Sequence, residues 1–251
     1  ASTADVARGL IVRDILANAE RAIDRDFAGD PALAADLRES VAKVRLALGL
    51  PKDAARIFAR VAGYRSKALG ATALAALRSR QQQAGAMLEA AETKDALALV
   101  ETALHDAAAL PAGEPVRLKL RLGQAEAIAA LGDRPRARKL MEDLRGDAIE
   151  LRGERNATTM DVTNDLAILL GRMGEPKAGR ALMEALVPMR MQVLGAEHAD
   201  TLAAQHNLAV MRIMTGDKHG AVALQRALVQ VQTRRLGAEH PQTLGERGNL
   251  A

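Results

Sequence analysis

The chain repeats itself near its C-terminal end. Leu194 to Ala209 read LGAEHADTLAAQHNLA and Leu236 to Ala251 read LGAEHPQTLGERGNLA, so the two segments begin 42 residues apart. A long self-match at a fixed period of this size is typical of repeat proteins, in which one supersecondary unit stacks on the next. This period therefore constrains the fold more than any single residue does.

Small residues recur at the same period along most of the chain. The period marks are Gly216, Gly174, Gly132, Ala91 (after a slip of one residue) and Gly49. A second small residue follows five positions after each mark, at Ala221, Gly179, Ala137, Ala96 and Ala54. Glycine readily takes the left-handed conformation that ends a helix. Since a small residue one turn into the next helix permits close packing, each mark predicts the turn of a helix hairpin.

Proline and alanine refine this prediction. Pro51, Pro135 and Pro176 follow three of the marks, and proline favours the first turn of a helix, where its missing N–H is not needed. Pro188 lies inside the second helix of the fourth hairpin and predicts a bend near Val187.

At Ala91 a left-handed conformation would cost roughly 1–2 kcal/mol. We therefore expect the turn at that mark to differ in detail from the glycine turns.

Composition restricts the core and the chemistry. With two Phe, one Tyr and no Trp, the core must consist of Ala, Leu, Val, Ile and Met, which favour helix. The absence of cysteine excludes disulfides and thiol chemistry. A net charge of +4 from interleaved acidic and basic residues indicates solvated helix faces. No apolar run is long enough to cross a membrane, so we predict no membrane insertion.

Candidate chemical motifs have simpler explanations. The pairs Glu197-His198 and Glu239-His240 could be acid/base or metal groups, but they recur before a first helix, where His can cap the helix. The segment at residues 174–180 lacks the lysine and the strand of a phosphate loop. The basic cluster at Arg134, Arg136, Arg138 and Lys139 has no aromatic neighbour to stack on bases. We therefore predict no catalytic residue, no metal, no cofactor and no nucleic-acid partner.

The repeated segment resembles the tetratricopeptide repeats of the kinesin light chain type. Their pattern is LGxEHPxTLxxxxNLA followed by a glycine turn and xxAxxLxxxAL. The matching residues are Leu236, Gly237, Glu239, His240, Pro241, Thr243, Leu244, Asn249, Leu250 and Ala251. The preceding copy matches with Ala199 in place of proline. The resemblance implies an all-α, right-handed superhelical solenoid of about five helix-turn-helix units of 42-residue period, plus a partial sixth.

The period also divides the chain. Residues 1–30 are predicted to form an N-terminal helix and lead-in, and residues 31–251 the repeat array. The units are expected at about 31–70, 71–110, 111–152, 153–194 and 195–236, with a partial unit at 237–251. The methionines at 183, 189, 191, 211 and 214 fall at helical spacings and are interpreted as core residues.

A second resemblance concerns the lead-in. Residues 12–16, Phe27-Ala28, Asp30-Pro31, Leu37 and Leu48-Gly49 are similar to the junction that precedes the repeats of large bacterial serine/threonine protein kinases. The kinase glycine-rich loop, HRD and DFG motifs do not occur in the sequence. The resemblance implies that the chain is part of a larger bacterial protein. It predicts no compartment.

The resemblance also implies a binding surface. In this family the first helices of successive units line a concave face that holds extended peptides or partner helices. The positions that correspond to this face are Asn164, Ile168, Arg172, His206, Asn207, Val210, Ile213, Met214 and Asn249. A side-chain amide can both donate to and accept from a peptide bond. An equally good alternative is that Asn207 and Asn249 only bond neighbouring helices.

Two hypotheses for function follow. The first is a non-catalytic scaffold that binds a peptide or a partner protein on the concave face. The second is a structural or self-associating array, in which the open helix at Asn249 stacks on another copy.

Overall fold

The computed structural model describes residues 3–238 and 241–248, and these residues form helices joined by turns, with no strand. The helices are α1 (Thr3–Asp26), α2 (Pro31–Ala47), α3 (Pro51–Leu69), α4 (Leu74–Glu89), α5 (Thr93–Asp106), α6 (Pro115–Ala130), α7 (Arg134–Arg152), α8 (Ala157–Arg172), α9 (Pro176–Leu194), α10 (Ala199–Met214), α11 (Lys218–Leu236) and α12 (Pro241–Gly248). None of these helices is long and apolar enough to cross a membrane.

The chain divides into two compact units. Unit 1 comprises residues 1–132 and contains α1 to α6, whereas unit 2 comprises residues 133–251 and contains α7 to α12. Within each unit, consecutive helices pack against each other across short turns, and α4 contacts α6 as α8 contacts α10. The prediction of an all-α fold of stacked helix hairpins is confirmed.

Helix starts follow the proline and capping pattern of the sequence. α3 begins at Pro51, α9 begins at Pro176, and Pro135 lies in the first turn of α7. Proline fits these positions because it already has helical φ and lacks the N–H that a first turn leaves unbonded. α9 continues as one helix through Pro188 to Leu194, and the bend expected near Val187 stays a prediction.

The turn at Ala91 is a left-handed turn, and our expectation that it would differ from the glycine turns was wrong. Ala91 has φ +62°. Its N–H donates to the carbonyl of Leu88 at 3.1 Å, and the next N–H, of Glu92, donates to that of Met87 at 2.9 Å. The corresponding bonds in the turn at Gly174 are also 3.1 and 2.9 Å. These two bonds satisfy carbonyls at the end of the helix, so the geometry of the hairpin prevails over the local preference of alanine.

Replacement of Ala91 by glycine is expected to stabilise the protein by about 1 kcal/mol, because glycine takes the left-handed conformation without the Cβ penalty. Denaturant unfolding followed by circular dichroism measures the change. The control is Ala90→Gly, at the neighbouring position with φ −78°. There glycine relieves no strain and should destabilise by up to about 1 kcal/mol. Equal effects of the two substitutions would contradict strain at Ala91.

The second helices end at glycine for a different reason. At Gly195, after α9, φ is +96° and ψ is +155°. This region of backbone space is essentially restricted to glycine. The same conformation ends α3, α7 and α11 at Gly70, Gly153 and Gly237. The glycine that ends each of these four helices therefore sets the direction in which the chain enters the next hairpin.

The small residue predicted one turn into the second helix makes a close contact in unit 2. A Cβ atom built on Gly179 of α9 would lie 2.6 Å from the carbonyl oxygen of Ala167 in α8 and 3.2 Å from the sulfur of Met211. Met211 also covers Gly171, where a Cβ would lie 2.6 Å from its methyl carbon. Three neighbouring helices thus meet at these positions.

Two of the five methionines interpreted as core residues lie outside the core. Met183 and Met211 are buried, with 0% and 4% exposure, and Met189 packs against the core of unit 2. Met191 and Met214 are 41% and 48% exposed, so the interpretation was wrong for these two. Helical spacing alone could not separate them, since the stripes that face the core and the solvent have the same period.

Gly179→Ala is expected to destabilise the protein by roughly 1–3 kcal/mol, because the added methyl group meets a backbone oxygen that cannot rotate away. The matched control in the same unit is Gly146→Ala. Gly146 is exposed on α7, and a Cβ there would meet no atom within 4 Å. Because alanine favours helix more than glycine, this control should stabilise by about 0.5–1 kcal/mol. Thermal unfolding of both variants checks the predicted difference in sign.

Candidate binding surface

The sequence-predicted binding residues in the described part of unit 2 lie on two neighbouring helices. Those on α8 are Asn164, Ile168 and Arg172, and those on α10 are His206, Asn207, Val210, Ile213 and Met214. Along each helix they recur mainly at intervals of three and four residues, which places them on one face. Since α8 contacts α10, we call these residues the first-helix surface. Asn249 lies outside the described residues.

The first-helix surface exposes apolar side chains on α10. Val210, Ile213 and Met214 are 37%, 48% and 48% exposed. Arg172, at the end of α8, is exposed as well, whereas Ile168 is half-buried and packs against the core. The accessible part of this surface thus combines three apolar groups with one cationic group.

A hydrogen bond between two asparagines joins the two helices. Nδ2 of Asn207 donates to Oδ1 of Asn164 at 3.2 Å, and Nδ2 of Asn164 donates to Oδ1 of Asp165 at 3.0 Å. Both asparagine side chains are half-buried. An amide has two N–H donors and an oxygen with two lone pairs. The bond therefore leaves the carbonyl oxygen and the second N–H of Asn207 without a partner among the described residues.

The Asn164–Asn207 bond is expected to appear as a coupling free energy of about 0.5–1.5 kcal/mol in a double-mutant cycle of the two alanine variants. A control cycle pairs Asn164→Ala with Gln192→Ala. Gln192 is exposed on α9 and makes no hydrogen bond to a described residue, so that cycle should be additive. Additivity in the first cycle, measured by denaturant unfolding, would show that the two amides do not stabilise each other.

An ion pair that involves a buried arginine next to this surface was not predicted. Arg190 is 4% exposed, and its Nη2 lies 2.9 Å from Oδ1 of Asp161 on α8. Unit 1 has the same pair, in which Nη2 of Arg65 lies 2.5 Å from Oδ1 of Asp36. The two residues of each pair are 29 positions apart, and each arginine precedes the glycine that ends its helix by five residues. The spacing that occurs twice is the sequence signal that could have found them.

The histidine motif serves as a helix cap. His198 is the N-cap of α10, and its Nδ1 accepts a hydrogen bond from the backbone N–H of Asp200 at 3.2 Å. This confirms the capping interpretation for His198, while Glu239 and His240 lie outside the described residues. Within residues 3–238 and 241–248, no group of three or more His, Cys, Asp and Glu side chains could hold a metal ion.

The basic cluster of α7 faces outward. Arg134, Arg136 and Lys139 are exposed. Arg138 lies 2.8 Å from Glu142 and 2.6 Å from Glu175, and these two carboxylates raise its pKa above the ordinary value. One of the four cations of the cluster is therefore already paired with carboxylates of the protein.

Comparison with known proteins identifies the repeats. Residues 159–200 and 201–242 each match the tetratricopeptide repeat family. A search of proteins with curated functions found no significant match in sequence. The prediction of repeats of this type is confirmed, whereas the kinase context stays a prediction.

The structure is similar to solved structures of repeat proteins. BtubC (BKLC) from P. vanneervenii is 16% identical, with a TM-score of 0.62 over 91% of this chain and 92% of that chain. The TPR-like repeats of a kinesin light chain candidate from Podosopora anserina are 22% identical, with a TM-score of 0.57 over 79% and 95%. A Rap protein in complex with Competence and Sporulation Factor is 13% identical, with a TM-score of 0.56 over 97% and 72%. Residues 159–242 are therefore tetratricopeptide repeats, and the chain shares its fold with kinesin-light-chain-like proteins built from such repeats.

Proposed function

We propose that this chain is a non-catalytic protein-interaction scaffold, and that its first-helix surface binds an extended peptide segment of a partner protein. The observation that carries the proposal is the exposure of Val210, Ile213 and Met214 on the same face of α10 as Asn207. Apolar groups that the fold leaves accessible beside an amide with spare hydrogen-bonding capacity match the two needs of a peptide: burial of side chains and pairing of backbone groups.

The energetic contributions of these groups differ in kind. Covering the exposed parts of three apolar side chains contributes on the order of 1 kcal/mol each. The amide contributes less free energy but more specificity, because a peptide N–H or carbonyl that is buried without a partner is costly. The carbonyl oxygen and the second N–H of Asn207 suit the two groups of one peptide unit. Arg172 adds a cation that favours an acidic residue in the ligand.

The likeness to the Rap protein supports the proposal at the level of the fold. That protein was solved in complex with a second molecule, Competence and Sporulation Factor. The wider context that we propose, from the sequence alone, is a larger bacterial signalling protein of the kinase type, with repeat units bounded as the 42-residue period indicates. In that context Asn249 would extend the first-helix surface.

A second candidate function has its own support. The bond between Asn207 and Asn164 braces α8 against α10, as expected for a structural array that needs no peptide ligand. Such an array would self-associate through the exposed apolar side chains of α10. The same residues thus serve two hypotheses that differ in the identity of the bound molecule.

Site-specific photo-crosslinking can separate the two hypotheses. A benzoylphenylalanine placed at Val210 reports on the first-helix surface. The same group at Val193 of α9, which is 44% exposed and outside this surface, is the matched control. Both proteins are irradiated in a lysate of the cells that encode the chain, and adducts are identified by mass spectrometry. The peptide proposal predicts an adduct with one defined protein at position 210, absent at position 193 and lost when Asn207→Ala is added.

Each other result has a definite meaning. An adduct of the chain with itself at position 210 would favour the self-associating array. Identical adducts at positions 210 and 193, or adducts that are indifferent to Asn207→Ala, would reject the assigned surface. A synthetic peptide that spans the crosslinked segment should then bind the purified chain, and Asn207→Ala should weaken this binding by about 5- to 10-fold, the effect of one hydrogen bond.

A further inference from the structure

Glu20 joins α1 to both helices of the first hairpin, α2 and α3. Its side chain is 12% exposed. One carboxylate oxygen, Oε1, pairs with Nη2 of Arg45 on α2, and the other, Oε2, lies 3.0 Å from Nη2 of Arg56 on α3. Arg45 itself is buried. Both ion pairs cross from α1 to the hairpin, so they exist only while α1 is docked.

Asp24, one turn further along α1, repeats this arrangement with two other arginines. Its Oδ1 lies 2.5 Å from Nη2 of Arg38 on α2 and 2.9 Å from Nη2 of Arg60 on α3. The hydrogen bonds from Arg38 and Arg60 lower the pKa of this carboxyl below its ordinary value, so it is ionised at neutral pH. Residues four apart lie on one face of a helix. One face of α1 therefore presents two carboxylates to four arginines of the hairpin.

Apolar burial supports the docking of α1 less than it supports α3. Among residues 14–26, the part of α1 whose side chains the structure describes, Leu16 and Ile23 are the buried apolar residues. α3 buries six residues, among them Ile57 and Phe58 with 0% and 1% exposure. Because apolar burial is the main favourable term in helix packing, α1 depends on its ion pairs more than α3 does.

The hairpin does not need α1 for its own first turn. α2 begins at Pro31, and the side chain of Asp30 accepts a hydrogen bond from the backbone N–H of Leu33 at 3.0 Å. This cap satisfies a backbone donor at the start of α2. The link at residues 27–30 contains Gly29, where the backbone rotates more easily than at other residues. α1 can therefore leave the hairpin through this link while α2 stays folded.

Departure of α1 leaves none of these four arginines buried without a partner. Arg45 is the most buried of them, and its Nη1 also lies 3.0 Å from Oδ2 of Asp53, at the start of α3, so it keeps an ion pair. The side chains of Arg56 and Arg60 are already 53% and 43% exposed. Arg38 gains access to water when the helix that covers it departs. A charge that passes into water avoids the large cost of an unpaired charge in the interior.

We propose that α1 is a detachable strap, which closes over α2 and α3 at low ionic strength and opens at high ionic strength without unfolding the hairpin, so that a face with four arginines is uncovered. The physical basis is screening, since the Debye length falls from about 10 Å at 0.1 M salt to about 3 Å at 1 M. The pairs of Asp24 are the more exposed and respond first. The strap belongs to unit 1 and does not depend on the function proposed for unit 2.

Hydrogen exchange of the whole chain, followed by mass spectrometry, measures this opening. The amides of residues 14–26 report on the strap, and those of residues 54–62 in α3 report on the hairpin. We expect the strap to exchange faster than α3 at low salt, and its exchange to accelerate about 5-fold or more in 1 M sodium chloride, as loss of about two exposed ion pairs implies. Exchange of α3 should not accelerate, because salt does not screen its apolar contacts. A free peptide of residues 3–26 corrects for the effect of salt on the intrinsic rate.

Two aspartates of α1 provide a matched comparison. Asp24→Asn weakens both ion pairs of this carboxylate with the hairpin and should accelerate strap exchange about 3- to 10-fold. Asp26→Asn is the control, because the ion-pair partner of Asp26 is Arg25 of the same helix, and it should leave strap exchange unchanged. Glu20→Gln combined with Asp24→Asn should remove most of the salt effect. Unchanged exchange of α3 in each variant shows that the hairpin remains folded.

Four results would overturn the proposal. Strap amides that exchange no faster than those of α3 would mean that α1 opens only together with the hairpin. Strap exchange that is indifferent to salt, or a full salt effect in the double variant, would mean that these ion pairs do not hold α1. Equal effects of Asp24→Asn and Asp26→Asn would place the change in the helix itself. None of these measurements involves the first-helix surface, so failure here would leave the function proposed for unit 2 unaffected.

Discussion

The hairpins depend on one constraint, the left-handed residue that follows the first helix of each hairpin. These first helices are α2, α4, α6, α8 and α10. The left-handed residue permits two backbone hydrogen bonds that finish one helix, and it reverses the chain so that the next helix can pack against the first. The turn at Ala91 shows how strong this constraint is, since alanine adopts φ +62° there. Packing along two whole helices contributes more free energy than the roughly 1–2 kcal/mol that the conformation costs.

Ion pairs also join the two helices of a hairpin to each other. The pairs of Asp36 with Arg65 and of Asp161 with Arg190 occur at the same places in units 1 and 2. In the hairpin that follows the first pair, the aspartate position holds Arg78. The position that holds an ion-paired aspartate in one hairpin therefore holds an exposed arginine in the next. Repetition of backbone with variation of side chains is how such folds diversify their surfaces.

The sequence predicted the helices because their period and their turn residues are local signals. Pro51, Pro176 and His198 mark helix starts through backbone chemistry that does not depend on distant residues. The exposed Met214 and the buried Met211 could not be separated in this way, since burial depends on which neighbouring helix covers each position. A cavity that Asp36, Tyr64 and Arg78 line was beyond prediction for the same reason, because its walls come from three helices, α2, α3 and α4.

The contact among Gly171, Gly179 and Met211 has an evolutionary consequence. The two glycines of one hairpin leave room that the methionine of the next hairpin fills. The fifth hairpin carries Ala221 at the position of Gly179, and its extra methyl group would occupy the space that Met211 needs. Duplication or exchange of these two hairpins would separate the space above Gly171 and Gly179 from the Met211 side chain that fills it. Their order in the chain is therefore fixed by shape, even though their backbones are nearly interchangeable.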